Sequence, residues 1–100
     1  MIKHIVMIRL KEAGSPEEKL ENGRRLKASI EGLLGKIPKL LSMEVGKNMS
    51  TKSSAYDLVL TSTFDSMETL ETYRVHPEHQ KVLEHLYEVM ESTAVVDYKL

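Results

Sequence analysis

The chain has 100 residues and a formal net charge of −1, with 14 Lys and Arg against 15 Asp and Glu. This length suits one domain over residues 1–100 with a modest core, and the balanced charge argues against nucleic-acid binding, which needs an excess of cations. The absence of cysteine excludes disulfides and is consistent with a cytoplasmic protein. Because a strand pattern begins at Ile2 and no apolar run approaches ~20 residues, we expect neither a signal peptide nor a membrane span.

The first predicted strand runs from Ile2 to Leu10, where side chains alternate between two faces. One face is apolar except for His4. The other carries Ile5 and Met7 between charged residues. Apolar residues on both faces indicate that both faces of the strand are covered, which a single layer of helices cannot do.

The first predicted helix begins at Ser15-Pro16, with Ser15 as N-cap and Glu18 completing a capping box. Its inner stripe is predicted from helical spacing and comprises Leu26, Ile30, Leu33 and Ile37. Gly23 lies on the same stripe. We interpret this glycine as a point of close approach between helix and sheet, and the alternative is that it leaves room for a pocket.

Two further strands are predicted over Leu40–Lys47 and Tyr56–Phe64, joined by a polar loop. The second of these carries apolar residues or threonine on both faces. Asp65 or Ser66 is the predicted cap of the next helix, and Glu68 is placed to complete a capping box from Asp65.

The most informative segment is Tyr73-Arg74-Val75-His76-Pro77-Glu78-His79. Pro77 has no backbone N–H, so we expect the helix to break near His76 and to restart. The inner side before the break is predicted to comprise Met67, Leu70 and Tyr73. After the break His79 heads an apolar stripe, which continues through Leu83, Leu86 and Met90.

A last strand is predicted over Thr93–Lys99, which completes the order strand, helix, strand, strand, helix, strand. This order predicts an α+β, ferredoxin-like βαββαβ protomer with a four-stranded antiparallel sheet and its helices on one face. The other face carries Ile5, Met7 and Val59. We therefore expect a homodimer through this face, which gives a dimeric α+β barrel. The alternative is a solvated sheet with scattered apolar residues.

Four segments together carry a family resemblance, namely Lys3-His4-Ile5-Val6, Phe64-Asp65-Ser66, Tyr73 with His76-Pro77-Glu78-His79, and Val96-Asp97-Tyr98. They resemble the stress-responsive dimeric A/B barrel (Dabb) family over nearly the whole chain. That family includes boiling-stable plant stress proteins, bacterial proteins of unknown role and a plant polyketide cyclase that makes olivetolic acid without a cofactor. The resemblance implies the same protomer fold, a homodimer and no cofactor.

In the cyclase, a histidine of the His-Pro-x-His string acts as base beside a tyrosine, in a cleft between sheet and helices. The resemblance therefore implies a catalytic role for His79 as base, with Tyr73 and His4. The implied ligand-binding residues are His4, Tyr73, His76, His79, Leu58 and Ile30. Leu58 and Ile30 stand where the cyclase has a histidine and a tyrosine, which argues against polyketide cyclisation itself.

A histidine on a core face is typically neutral, because desolvation lowers its pKa. Neutral His79 could accept and return a proton, and Tyr73 could stabilise an enolate. The leading hypothesis is a protein that binds a small, largely apolar or aromatic ligand. One alternative is a cofactor-independent, cyclase- or lyase-like enzyme acting on a β-keto or phenolic substrate. The other is a purely structural stable dimer, in which His4 and His79 bond to each other or to a backbone carbonyl.

Other roles of these residues to be weighed are helix capping, metal binding and the stacking of RNA bases. His76 precedes Pro77 and can cap the restarted helix. No third ligand stands near His76 and His79, so no metal site is predicted. The third strand lacks the central aromatic residues on which RNA-binding domains stack bases. Asp97 could orient a histidine or could lie at a sheet end, and the sequence leaves both open.

Overall fold

A computed structural model describes residues 1–100. Its elements are β1 (Ile2–Leu10), α1 (Pro16–Glu31), β2 (Ser42–Lys47), β3 (Leu58–Phe64), α2 (Met67–Arg74), α3 (Pro77–Val89) and β4 (Met90–Lys99). The strands form one antiparallel sheet in the order β2-β3-β1-β4, and the helices pack on one face. The predicted ferredoxin-like protomer is confirmed, with its second helix divided in two.

The start of α1 agrees with the predicted cap but not with the predicted box. Ser15 Oγ accepts a hydrogen bond from the Glu18 N–H at 3.1 Å. The Glu18 carboxylate accepts from the Gly14 N–H at 3.0 Å and not from Ser15. The reciprocal half of the predicted box is therefore wrong, because the Glu18 side chain reaches one residue further back.

The start of α2 corrects a second prediction. Ser66 is the N-cap, and its Oγ accepts a hydrogen bond from the Thr69 N–H at 3.3 Å. The Thr69 hydroxyl in turn accepts one from the Ser66 N–H at 3.2 Å. Asp65 and Glu68 do not form the expected box, because the helix begins one residue later and places Thr69 at the third helical position. Met67, expected on the inner side, is 45% exposed.

Gly23 satisfies both interpretations of its position. A Cβ at Gly23 would lie 3.1 Å from Leu10 Cδ1, so the glycine permits the close approach of α1 to β1. The same residue also lines a surface cavity of about 510 Å³ beside the start of α1. The glycine therefore brings the two layers together without filling the space beside them.

Three strands begin at other residues than predicted. β2 and β3 each start two residues later than expected, and β4 starts at Met90, directly after the last residue of α3. Tyr56, expected in β3, lies before the strand with its ring 4.5 Å from the Arg9 guanidinium. The next residue, Asp57, accepts a hydrogen bond from the Leu10 N–H at 2.7 Å. Residues 56 and 57 thus hold the loop to β1 instead of extending the sheet.

The core consists of two groups of buried apolar side chains between sheet and helices. The first includes Ile8, Leu26 and Val89. The second lies at the other end of the sheet and comprises Leu33, Ile37, Leu40, Phe64, Leu70 and Tyr73. This second group forms the base on which the candidate site is built.

The sheet face away from the helices leaves apolar side chains accessible. Met7 is 38% exposed, and Val96 and Tyr98 on β4 are 55% and 44% exposed. Ile5 pairs with Val96 across β1 and β4, so the two side chains lie on the same face. This outer face carries the apolar patch that the sequence predicted. None of the helices has the length and apolar character needed to cross a membrane.

Candidate functional site

A cleft of about 430 Å³ lies on the helix side of the sheet, between α3 and the strands β1 and β4. Its walls are mainly apolar, and the apolar residues include Val6, Ile8, Leu60, Leu83, Leu86, Met90 and Val95. All four residues of the stripe predicted after Pro77, namely His79, Leu83, Leu86 and Met90, line this cleft. A concave apolar wall of this size suits a small organic molecule.

Three predicted site residues meet in this cleft, namely His4, Tyr73 and His79. The Tyr73 and His79 rings lie 4.3 Å apart between centroids. Beneath them Phe64 contacts Tyr73 at a centroid distance of 5.0 Å and meets His4 edge-on at 6.4 Å. A fully buried phenylalanine therefore supports polar side chains that come from a strand and from two helices.

His79 is oriented by the end of the preceding helix. Its Nδ1 donates a hydrogen bond to the backbone carbonyl of Arg74 at 3.0 Å. A carbonyl oxygen can only accept, so Nδ1 carries the proton and Nε2 keeps its lone pair when the ring is neutral. His79, to which the family resemblance assigns the role of base, is thus held in a defined tautomer.

His4 is oriented by its neighbour on the adjacent strand. His4 and Asp97 are cross-strand partners, and the Asp97 carboxylate accepts a hydrogen bond from His4 Nδ1. The second carboxylate oxygen accepts from Arg74 Nη2 at 3.1 Å. Of the two possibilities left open for Asp97, the structure shows the first, because this side chain orients a histidine.

Three polar atoms of the site have no partner within the chain, namely Nε2 of His4, Nε2 of His79 and the Tyr73 hydroxyl. Every fully buried side-chain nitrogen or oxygen does have a partner, so these three atoms remain accessible. Since all three residues line the cleft, we infer that the atoms are reached from it. The cleft therefore offers two imidazole nitrogens and one hydroxyl to a ligand.

Burial shifts the acid–base properties of two of these groups. Desolvation lowers the pKa of His79, while its hydrogen bond to the Arg74 carbonyl acts in the opposite direction. Electrostatic repulsion from Arg74, and from His4 and His76 when their rings are protonated, lowers the pKa of His79 further. Desolvation raises the pKa of the Tyr73 hydroxyl well above its ordinary value. At neutral pH the cleft thus holds a neutral His79 imidazole and a neutral phenol.

We expect this shift to make stability depend on pH. Because the pKa of His79 is lower in the folded chain than the unfolded value of ~6.5, the unfolded chain binds more protons in acid. The free energy of unfolding should then be fully retained above about pH 6.5 and fall as the pH drops through the folded-state pKa. Urea unfolding of the wild type and of His79→Gln between pH 5 and pH 8 measures this, and the variant should show a smaller decrease. Identical pH profiles would contradict the assignment.

Three other residues expected to bind ligand lie outside this cleft. Ile30 is 3% exposed in the first core group. Leu58 belongs to the same group and borders other cavities at the far end of the sheet. His76 caps α3 by accepting a hydrogen bond from the Glu78 N–H at 3.1 Å, as its place before Pro77 suggested. The structure therefore brings together His4, Tyr73 and His79, and it places the other three in packing or capping positions.

Arg74 is a cleft residue that was not predicted from the sequence. An arginine at the end of a helix is commonly a solvated residue, and its partner Asp97 is 23 residues away in the sequence. The only signal was the adjacency of Arg74 to Tyr73 in the conspicuous segment. No three His, Asp or Glu side chains converge in a way that could hold a metal ion.

The chain is similar to several known proteins. The stress-response A/B barrel domain-containing protein HS1 of Arabidopsis thaliana is 28% identical over 100 residues, which is 98% of this chain and 88% of that protein. A dimeric protein of unknown function with a ferredoxin-like fold from Bacteroides fragilis superposes with a TM-score of 0.90 at 37% identity, covering 99% of this chain and 95% of that one. Hydroxynitrile lyase from Passiflora edulis has a TM-score of 0.83 at 17% identity, with 99% and 92% of the chains covered, and this likeness shows the fold alone.

The family assignment rests on the sequence as a whole. The family model described as the stress responsive A/B barrel domain matches residues 2–100. This agrees with the resemblance carried by the histidine-proline segment and with the similarity to HS1. Membership fixes the fold and leaves the activity to be argued from the site. The chain belongs to the stress responsive A/B barrel domain family.

Proposed function

We propose that the cleft binds a small, largely apolar or aromatic ligand that carries one or two hydrogen-bonding groups. The observation that carries this proposal is the set of accessible polar atoms on His4, Tyr73 and His79 in an otherwise apolar cleft. Apolar walls supply most of the binding free energy, and a few placed polar groups fix the orientation of the ligand. Phenols and β-keto compounds have both features.

We expect Tyr73→Phe to weaken the binding of such a compound about 2- to 10-fold, because one hydrogen bond contributes about 0.5–1.5 kcal/mol. The test begins with a panel of small phenols and β-keto compounds, followed by NMR chemical shifts of the wild type, and then measures the affinity of the best compound for both proteins. The hydroxyl has no partner within the chain, so removing it should leave the fold intact. Equal affinities, or shifts remote from the cleft, would reject the proposed binding mode. If no compound binds, the purely structural dimer is the better account.

A second candidate function is acid–base chemistry without a cofactor, with His79 as base. It is favoured by the neutral His79 ring and by its tautomer, which leaves the Nε2 lone pair free. In this scheme Nε2 takes a proton from the carbon between the carbonyls of a β-keto compound. The electron pair of the C–H bond moves into the enolate, whose oxygen accepts a hydrogen bond from Tyr73. Return of a proton from the imidazolium regenerates the compound.

Deuterium exchange at that carbon tests this second candidate. A β-keto compound that binds the cleft should exchange faster in D₂O with the wild-type protein than with His79→Gln. Removing a general base typically costs 10²–10⁴-fold in rate, so a protein-dependent exchange should be lost almost completely. Equal exchange with both proteins, at saturating compound, would leave binding as the function.

We further propose that the chain forms a homodimer through the outer sheet face that carries Ile5, Met7, Val59, Val96 and Tyr98. Support comes from the exposure of Met7, Val96 and Tyr98, from the partial exposure of Ile5 and Val59, and from the similar Bacteroides fragilis protein, which is dimeric. Packing two such faces would remove them from water and form a barrel. Because this face is opposite to the helices, the dimer would leave the ligand cleft on its own side of the sheet.

A cytoplasmic location is the remaining proposal. Its support is the absence of cysteine, which suits a reducing compartment. Fractionation of cells that express the native protein, followed by immunoblotting, tests it, and recovery in the membrane or secreted fraction would reject it.

A further inference from the structure

We propose that Arg74 is a positioning residue that fixes both cleft histidines at once. Its side chain acts on His4 through Asp97, and its backbone carbonyl acts directly on His79. The functional meaning of this inference rests on the proposed ligand site. The arrangement itself can be tested without any ligand.

The contact of the Arg74 backbone carbonyl with His79, here called the backbone arm, exists because the helix is broken between α2 and α3. In a continuous helix the Arg74 carbonyl would accept a hydrogen bond from the N–H four residues later, which belongs to Glu78. That N–H instead donates to the side chain of His76, the cap of α3. The Arg74 carbonyl is thereby left for two side chains, and it accepts from His79 Nδ1 at 3.0 Å and from Gln80 Nε2 at 2.7 Å.

The contact of the Arg74 guanidinium with His4 through Asp97, here called the side-chain arm, depends on the register of β1 and β4. Asp97 stands beside His4 on the neighbouring strand, and one of its carboxylate oxygens accepts from His4 Nδ1 while the other accepts from Arg74 Nη2 at 3.1 Å. The Asp97 side chain is 17% exposed and the Arg74 side chain 42% exposed, so solvent is kept from the carboxylate more than from the guanidinium. The guanidinium therefore holds the carboxylate in one orientation. The carboxylate in turn determines which nitrogen of His4 carries the proton.

The two arms have the same chemical result. Each histidine donates from Nδ1 to an acceptor of the protein and leaves Nε2 to the cleft. Arg74 is the last residue of α2, the helix whose inner side carries Tyr73. A single helix end thus sets the position of the Tyr73 hydroxyl and of both Nε2 atoms, which gives Arg74 a role beyond the charge that it carries.

Nitrogen NMR of the histidine side chains in the ligand-free protein tests the side-chain arm. In Arg74→Ala, His4 should lose its single tautomer and show averaged Nδ1 and Nε2 shifts, while His79 should keep its wild-type shifts, because alanine still supplies a carbonyl at position 74. Arg74→Lys should restore part of the effect on His4, since lysine keeps the charge but not the planar fork. Arg25→Ala, which removes an exposed arginine from α1, is the matched control and should leave both histidines unchanged.

The double variant His76→Ala, Pro77→Ala tests the backbone arm. It removes the cap and restores a backbone N–H, so α2 and α3 can join and the Glu78 N–H can bond to the Arg74 carbonyl. His79 should then lose its single tautomer. An unchanged His4 in Arg74→Ala, or an unchanged His79 in a double variant whose helices have joined, overturns the inference. Loss of both tautomers in Arg74→Ala also overturns it, because the two arms would then not be separate. Failure of the ligand proposal would leave these shifts unaffected.

Discussion

Replacing Val96 with glutamate should convert the proposed homodimer into a monomer. Val96 is 55% exposed in the protomer and lies on the outer sheet face beside Ile5. In the proposed dimer its side chain would be buried against the second copy. A carboxylate there would lose its hydration without gaining a partner, at a cost of several kcal/mol for each buried charge. Since the two-fold arrangement places the substitution on both copies, each dimer would bury two carboxylates and the free-energy cost would be doubled.

Light scattering coupled to size-exclusion chromatography at micromolar concentration measures this result. The matched control is Val95→Glu, one residue earlier in the sequence and 52% exposed. Val95 lines the cleft on the opposite face, so this variant should remain a dimer and lose the binding of small compounds. A dimeric Val96→Glu, or a monomeric wild type, would show that the outer face is not the interface.

Replacing Phe64 with alanine should cost about 3–5 kcal/mol in the free energy of unfolding, the range for a buried aromatic side chain. Phe64 has no exposed surface and contacts both Tyr73 and His4. The space left behind would lie directly beneath the candidate site. We therefore expect this variant to lose ligand binding as well as stability.

Urea unfolding measures the loss in the free energy of unfolding, and Leu26→Ala is the control variant. Leu26 is equally buried but belongs to the first core group, away from the Phe64 contacts. Its replacement should cost about 2–5 kcal/mol and leave the His4 and His79 side-chain signals in place. If Phe64→Ala leaves those signals and the affinity unchanged, the phenylalanine supports the core and not the site.

The sequence allowed the prediction of features that depend on local pattern. Alternation placed His4 on the covered face of β1, and Pro77 predicted the break that separates α2 from α3. The histidine-proline segment also indicated that Tyr73 and His79 would face one cleft. Each of these inferences needs only the period of a strand or helix and the chemistry of one residue.

Features that depend on distant partners could not be predicted in the same way. The bond between His4 and Asp97 joins residues 93 positions apart, and it follows from a register that sequence periodicity does not define. The role of Arg74 depends in turn on that bond. At the start of α2, Ser66 was one of the two predicted caps, but its partner Thr69 was missed for a different reason. Asp65, Ser66 and Thr69 are all good capping residues, and the two possible helix starts differ by one position.

A histidine pH titration by NMR, with and without the panel of small phenolic and β-keto compounds, tests the central claim most directly. The claim is that His4, Tyr73 and His79 form a ligand-binding cleft. It predicts that His79 titrates below its ordinary pKa of ~6.5 and that the signals of His4 and His79 shift together when a compound binds. If His79 titrates at its ordinary pKa and neither histidine responds to any compound, the cleft is not the functional site of this protein.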